Sequence, residues 1–236
     1  YYIWGLHASL GVLSNKNRII KKIFCSQRVF ENFLSRNTFP ESEVNILKTQ
    51  DLDAILEDKN THQGIIIETK PLSYPAFDEI LDNENLLIAL DQVTDPQNVG
   101  AIIRSVKFFG GKTLLITKDH SAEINGSLAK SASGALEYVD IVKVTNLSMS
   151  LTNLKKKGYI IIGLDENSEV SLNKLNYYKD SKKVLVFGSE GKGLRRLTKE
   201  KCDLLISINN NSGDFTTLNV STAVAVTLYE LVDKKI

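Results

Sequence analysis

The sequence predicts an α/β chain in two parts: a small amino-terminal α/β unit, then a larger domain whose parallel sheet is flanked by helices. Three observations carry this. From residue 86 onward, short apolar runs of strand length alternate with stretches of helical period, the pattern of a parallel sheet covered on both faces. Ahead of it, about 70 residues hold briefer apolar runs and one clear amphipathic stretch. Between the two, Lys70–Pro75 has two prolines and no clear period, as at a domain boundary. The predicted divisions are residues 1–70, a linker over 71–85, and residues 86–236.

In chain order, Leu6, Leu10 and Leu13 fall at helical spacing within residues 5–14. Strands are predicted at Ile23–Cys25, Val44–Leu47 and Gly64–Ile67, with a helix over Leu52–Glu57. In the second part, strands are predicted at Leu86–Leu90, Thr113–Ile116, Val139–Val144, Tyr159–Leu164, Val184–Phe187 and Leu204–Ile208. The helices between and after them are Val99–Phe109, Gly126–Ser133, Ser148–Lys157, Leu194–Lys201 and Val220–Leu231. In the last, Val220, Val224, Leu228 and Leu231 share one face.

Composition removes several classes of function. Apolar residues make up 42% of the 236 and the formal charge is only +1, which excludes a disordered chain. No apolar run approaches the roughly 18 residues of a membrane span. Two cysteines, Cys25 and Cys202, make no disulfide framework and suit a reducing, cytoplasmic setting. Tyr1–Trp4 lacks the basic stretch and apolar run of a signal peptide, and the absence of a starting Met leaves room for residues ahead of Tyr1. His7, His62 and His120 are scattered without metal-ligand spacing, so no metal is expected. No G-x-S-x-G elbow occurs. Charge is unevenly spread: residues 1–30 carry Lys16, Arg18, Lys21, Lys22, Arg28 and no acid. With Tyr1, Tyr2 and Trp4, that block reads either as a phosphate-and-base surface or as a solvated helix face beside core aromatics.

Ligands of open parallel sheets sit beyond the carboxyl ends of the strands, so the loops there are the informative ones. The first, Leu90–Ser105, holds Asp95 and Pro96 at a helix start, then Asn98 and Arg104. Asn98 orients a substrate or merely caps. Arg104 grips a phosphate or merely pairs with a surface acid. The second, Val186–Leu194, places Gly188, Gly191 and Gly193 around Glu190. It fits neither G-x-G-x-x-G nor G-x-x-x-x-G-K-[ST], which counts against a nucleotide-dependent α/β enzyme of the common types. The third, Ile206–Ser221, runs into the last helix with Asn219 and Ser221 at its start, where backbone N–H groups are free. Cys202, read as helical and beside apolar Leu204, is expected to be packed rather than nucleophilic.

Taken together, Asn98–Arg104, Phe187–Gly193 and Leu218–Ser221 resemble, in order and spacing, the three motifs of the SPOUT-class TrmH/SpoU family of RNA 2′-O-ribose methyltransferases. This resemblance covers residues 86–236. The start, Tyr2–Ala8, resembles the family's L7Ae/L30e-like RNA substrate-binding domain, an arrangement most like that of the members acting on a guanosine of 23S ribosomal RNA.

The resemblance implies a deep trefoil knot at the carboxyl end of the sheet, S-adenosylmethionine bound in it, and a homodimer whose active sites draw on both subunits. By position, the cofactor contacts would be Gly188, Gly193, Ile208, Thr217 and Leu218, and the catalytic group Arg104 with Asn98, Glu190 and Asn219. Arg104 is implied to engage the RNA phosphate and to act as the base. Because a guanidinium keeps its proton, electrostatic stabilisation of the alkoxide, with water as the acceptor, is the other reading. The chain departs from the family pattern in Thr217 for Ser, in Ile208–Asn209 for Ile-Pro, and in a longer Asn209–Thr216 loop. Competing substrates are tRNA and other ribosomal RNA sites. The competing class is a non-catalytic RNA-binding or assembly factor, against which intact Arg104, Glu190 and Asn219 argue.

Overall fold

In the computed structural model, residues 1–35, 44–56, 62–81, 84–209 and 218–231 are described. The amino-terminal unit comprises β1 (Tyr2–Trp4), α1 (Leu6–Ser14), β2 (Ile20–Cys25) and α2 (Gln27–Val29), which continues as a π-helical turn over Phe30–Leu34. It is completed by β3 (Val44–Ile46), α3 (Thr49–Asp53) and β4 (Ile65–Thr69), and its sheet runs β1-β4-β2-β3. The sequence reading missed β1, since three residues are too few to show alternation. The strand exists because Tyr2–Trp4 pairs antiparallel with Ile66–Glu68. It also missed α2, while the predicted end of the Leu52–Glu57 helix, Glu57, lies outside the described residues.

A short helix, α4 (Phe77–Ile80), sits in the segment read as a linker, and Ile80 and Leu81 are buried against the second part. That part alternates β5 (Leu86–Asp91), α5 (Pro96–Phe108), β6 (Thr113–Thr117), α6 (Gly126–Ser131), β7 (Asp140–Val144), α7 (Leu147–Lys156), β8 (Ile160–Leu164), β9 (Lys183–Gly188), α8 (Arg196–Lys199), β10 (Leu204–Ile206) and α9 (Val220–Leu231). Two 3₁₀ turns, Ala135–Tyr138 and Leu172–Tyr178, were not predicted. All five strand pairings are parallel, in the order β10-β8-β9-β5-β6-β7.

Strand alternation splits the core in two. Ile88, Leu90, Leu114, Ile116, Leu185 and Phe187 face one way and pack with α5, α6 and α9. Leu87, Ala89, Leu115, Val142, Val184 and Val186 face the other way and pack with α7. Nearly every side chain of these strands is therefore apolar, as the continuous apolar runs require. The trefoil knot implied by the resemblance involves the third loop, Ile206–Ser221, of which 210–217 lie outside the described residues.

The two parts meet through a buried polar contact. Arg18 donates from Nε and Nη2 to the two carboxylate oxygens of Glu137, both at 2.8 Å, with its side chain at 0% exposure and that of Glu137 at 2%. Nη1 donates to the Tyr1 hydroxyl and the Lys70 carbonyl, and Asn15 donates to Glu137 as well. Burial alone would weaken the charged form of Arg18, but the bonds to Glu137 outweigh it and raise its affinity for its proton. So Arg18 belongs to neither the solvated face nor the phosphate surface that the basic block suggested. Trp4, another member of that block, packs onto Gly126, where any Cβ would collide with the indole.

Removing one partner of a buried pair strands the other charge. Glu137→Gln is expected to lower unfolding free energy by about 3–5 kcal/mol in chemical denaturation, whereas Lys21→Gln, at a half-exposed pair, is expected to cost under about 1 kcal/mol.

Candidate active site

The carboxyl edge of the six-stranded sheet gathers the three sequence motifs. Asp95 caps α5: its carboxylate accepts from the Gln97 and Asn98 amides, with Pro96 in the first turn. Capping is thus Asp95's work, and the Asn98 side chain is left to turn toward the other loops. Its Nδ2 donates to Glu190 Oε1 at 3.2 Å. Asn219 begins α9 and uses both ends of its amide. Its Oδ1 accepts from the Ser221 and Thr222 amides, and its Nδ2 donates to Asn98 Oδ1 at 2.9 Å and to Glu190 Oε1 at 2.6 Å. Residues from three loops, up to 121 positions apart, thereby form one hydrogen-bonded node.

The loop carrying Glu190 is folded back on itself. The Gly193 amide donates to the Ser189 carbonyl, and Gly191 and Gly193 take φ of 77° and 63°. A Cβ at Gly188 would collide with the Gly193 backbone. The returning chain is pinned by a residue that sequence reasoning overlooked. Asp91, fully buried at the end of β5 and in register with Gly188, accepts from the Arg195 amide at 3.0 Å and from its Nε at 2.6 Å. This bond keeps Leu194 and Arg195 out of the predicted Leu194–Lys201 helix, so α8 begins only at Arg196. The signal was visible as an acid closing the otherwise apolar run Leu86–Asp91.

Of the predicted cofactor contacts, Gly188 and Gly193 lie in this loop, Ile208 follows β10, and Leu218 precedes α9. Thr217 lies outside the described residues. Leu218 keeps 47% of its surface exposed beside the node. An exposed apolar side chain and an open glycine loop at one sheet edge suit S-adenosylmethionine, which has an apolar-faced adenine to seat and polar edges that main-chain groups can bond. Among the described residues, no group of three His, Cys, Asp or Glu could hold a metal ion.

Arg104 does not join the node. It lies about 9 Å further along α5 and about 120° round its axis from Asn98. It is exposed, has no ion-pair partner among the described residues, and lines a groove with His7 and Tyr138. Cys202 is not helical, as had been expected, but follows α8, with its thiol directed to the Thr198 carbonyl at 3.4 Å. Burial pushes this thiol up to about 12.

Asp91→Asn is expected to keep the fold while speeding amide hydrogen exchange over 188–195, because a neutral acceptor holds Arg195 less firmly. With its pKa raised, Cys202 holds almost no thiolate below about pH 10. Iodoacetamide labelling of native protein at pH 8 is therefore expected to be far slower than that of a free thiol, with denaturant restoring the rate.

Residues 85–229 match the SpoU rRNA Methylase family, and residues 2–75 match the RNA 2′-O ribose methyltransferase substrate binding family. The protein named 23S rRNA (guanosine-2′-O-)-methyltransferase RlmB in Pseudomonas syringae is 32% identical over 97% of this chain and 93% of its own. Its namesake in Coxiella burnetii is 34% identical over 97% and 94%. Among solved structures, the SpoU methyltransferase AviRb from Streptomyces viridochromogenes, in complex with AdoMet, superimposes with a TM-score of 0.79 over 98% of this chain and 88% of its own at 19% identity, a likeness of fold. No described helix is long and apolar enough to cross a membrane. The chain belongs to the SpoU rRNA methylase family.

Proposed function

We propose that this SpoU-family chain transfers a methyl group from S-adenosylmethionine to a ribose 2′-hydroxyl, on a guanosine of 23S ribosomal RNA. The observation that carries the reading is the node: Asn98, Glu190 and Asn219, one from each motif, converge at the sheet's carboxyl edge. Near-full-length relatives named for 23S rRNA guanosine methylation support the substrate.

S-adenosylmethionine, when bound, supplies a methyl group on a sulfonium centre that a ribose oxygen displaces in line. Gly188, Gly193, Ile208, Thr217 and Leu218 are the residues proposed to seat it, in a knot threaded by the third motif. The protein's work is then alignment and charge. Asn98 and Asn219 hold Glu190 in one orientation, and Asp91, through Arg195, holds the loop that carries Glu190. A 2′-hydroxyl is a poor nucleophile, so oxygen charge develops as the bond to carbon forms. The Arg104 guanidinium stabilises that charge and the neighbouring phosphate while water takes the proton.

The separation of Arg104 from the node within one chain supports a homodimer, with Arg104 of a second copy completing each site. Val226 at 37% and Tyr229 at 55% exposure leave an apolar face on α9 for such pairing.

The test is incubation with radiolabelled S-adenosylmethionine and either unmodified 23S rRNA or unmodified tRNA, followed by mapping of 2′-O-methyl nucleotides. Label on one 23S guanosine is expected. Label on tRNA alone keeps the chemistry and overturns the substrate, and no label on either overturns the enzyme. Arg104→Ala is expected to lose about 100-fold or more in transfer rate, with cofactor affinity unchanged by calorimetry. An unfolded Arg104→Ala protein would instead assign Arg104 to structure.

A further inference from the structure

The groove that receives Arg104 is built by both parts of the chain. His7 and Ser14 come from α1, Arg104, Lys107 and Phe108 from α5, and Tyr138 from the 3₁₀ turn that also carries Glu137. Its volume is about 400 Å³, within the range of about 300–1,000 Å³ of small-ligand sites. No acid lines it, although Glu137 is the immediate neighbour of Tyr138: that carboxylate is turned inward and neutralised by Arg18. The groove therefore presents two cations, Arg104 and Lys107, and no opposing charge.

Its aromatic content is equally one-sided. Phe108 is 80% exposed and Tyr138 51%, though both are large enough to be costly in water. The Lys107 ammonium stands 4.8 Å from the centre of the Tyr138 ring and steadies it. Exposed aromatic faces interleaved with cations are what an unpaired nucleotide requires: a ring on which a base stacks and a charge for its phosphate.

We propose that this groove is the subsite for an unpaired nucleotide flanking the methylated ribose, with its base on Tyr138 and Phe108 and its phosphate between Lys107 and Arg104. The proposal rests on the reading of the chain as an RNA methyltransferase and adds what the three motifs do not carry: a binding site shared by the two parts of the chain. Because Arg104 serves both the groove and the reacting ribose, the flanking nucleotide and the target would be read as one unit. The Glu137 contact then has a role beyond stability, since Asn15 at the end of α1 and Arg18 just after it both hold the turn bearing Tyr138, which helps set the width of the groove.

The test uses the full chain and a fluorescein-labelled single-stranded oligoadenylate of about 12 nucleotides, with binding followed by anisotropy across salt concentrations. Tyr138→Ala is expected to weaken binding about tenfold, and Tyr138→Phe to restore it. Lys107→Ala is expected to flatten the salt dependence by about 0.7 in log–log slope, one phosphate contact on a single strand. Cofactor affinity is expected to be unchanged in all three. Unchanged RNA affinity in folded variants would overturn the subsite, whatever the methylation assay gives. A change of oligomeric state in light scattering would also overturn it, assigning the groove to contact between copies. Should Tyr138→Ala not fold, photocrosslinking of wild-type protein to 4-thiouridine RNA decides: adducts on peptides containing Tyr138 or Phe108 support the subsite, and adducts confined elsewhere overturn it.

Discussion

Arg18 and Glu137 form the contact on which the arrangement of the two parts depends. Each would be costly to bury alone, and each is fully used: the guanidinium bonds the carboxylate through two nitrogens, with Tyr1 and Lys70 taking a third, and Asn15 completes the carboxylate. Such a contact tolerates little change of angle, because both groups are planar and every bond is directional. An apolar interface of the same area would allow sliding. Here the amino-terminal unit is held against the turn that carries Glu137 and Tyr138, beside the groove that Arg104 lines.

At the other end of α5, the same logic is repeated with weaker groups. Asn98, Glu190 and Asn219 have no structural need to touch, since Asp95 caps α5 and Asn219 caps α9 with the oxygen end of its amide alone. What remains, two amide donors converging on one carboxylate oxygen, is surplus to folding. Polar surplus of this kind at the carboxyl edge of a parallel sheet is the mark of a site rather than of a scaffold.

The strands of the larger part were legible in the sequence because a parallel sheet covered on both faces makes continuous apolar runs, bounded here by Asp91, Gly188 and the Gly110–Gly111 turn. What escaped were features whose cause lies far along the chain. β1 exists only by pairing with β4, where Ile3 meets Ile67, and α8 is shortened by a carboxylate 104 positions earlier. The motif residues were legible as a set. Their division was not: spacing alone does not show that Asn98 joins Glu190 and Asn219 while Arg104 turns toward the amino-terminal unit. Basic residues in the first thirty positions looked equivalent, yet Arg18 is sealed inside and Lys21 is on the surface. Burial, decided by Glu137 more than a hundred residues later, separates them.

Asn219 is at once the residue that starts a helix and the residue that closes the node. One amide therefore ties the docking of α9 to the alignment of Asn98 and Glu190. During synthesis, Asn98 and Glu190 leave the ribosome well before Asn219 does. Until α9 forms, Glu190 lacks its shortest bond, and the loop that carries it has no partner from the third motif. A nascent chain would thus hold its chemistry in abeyance, becoming competent for RNA only once the last helix has been made and seated.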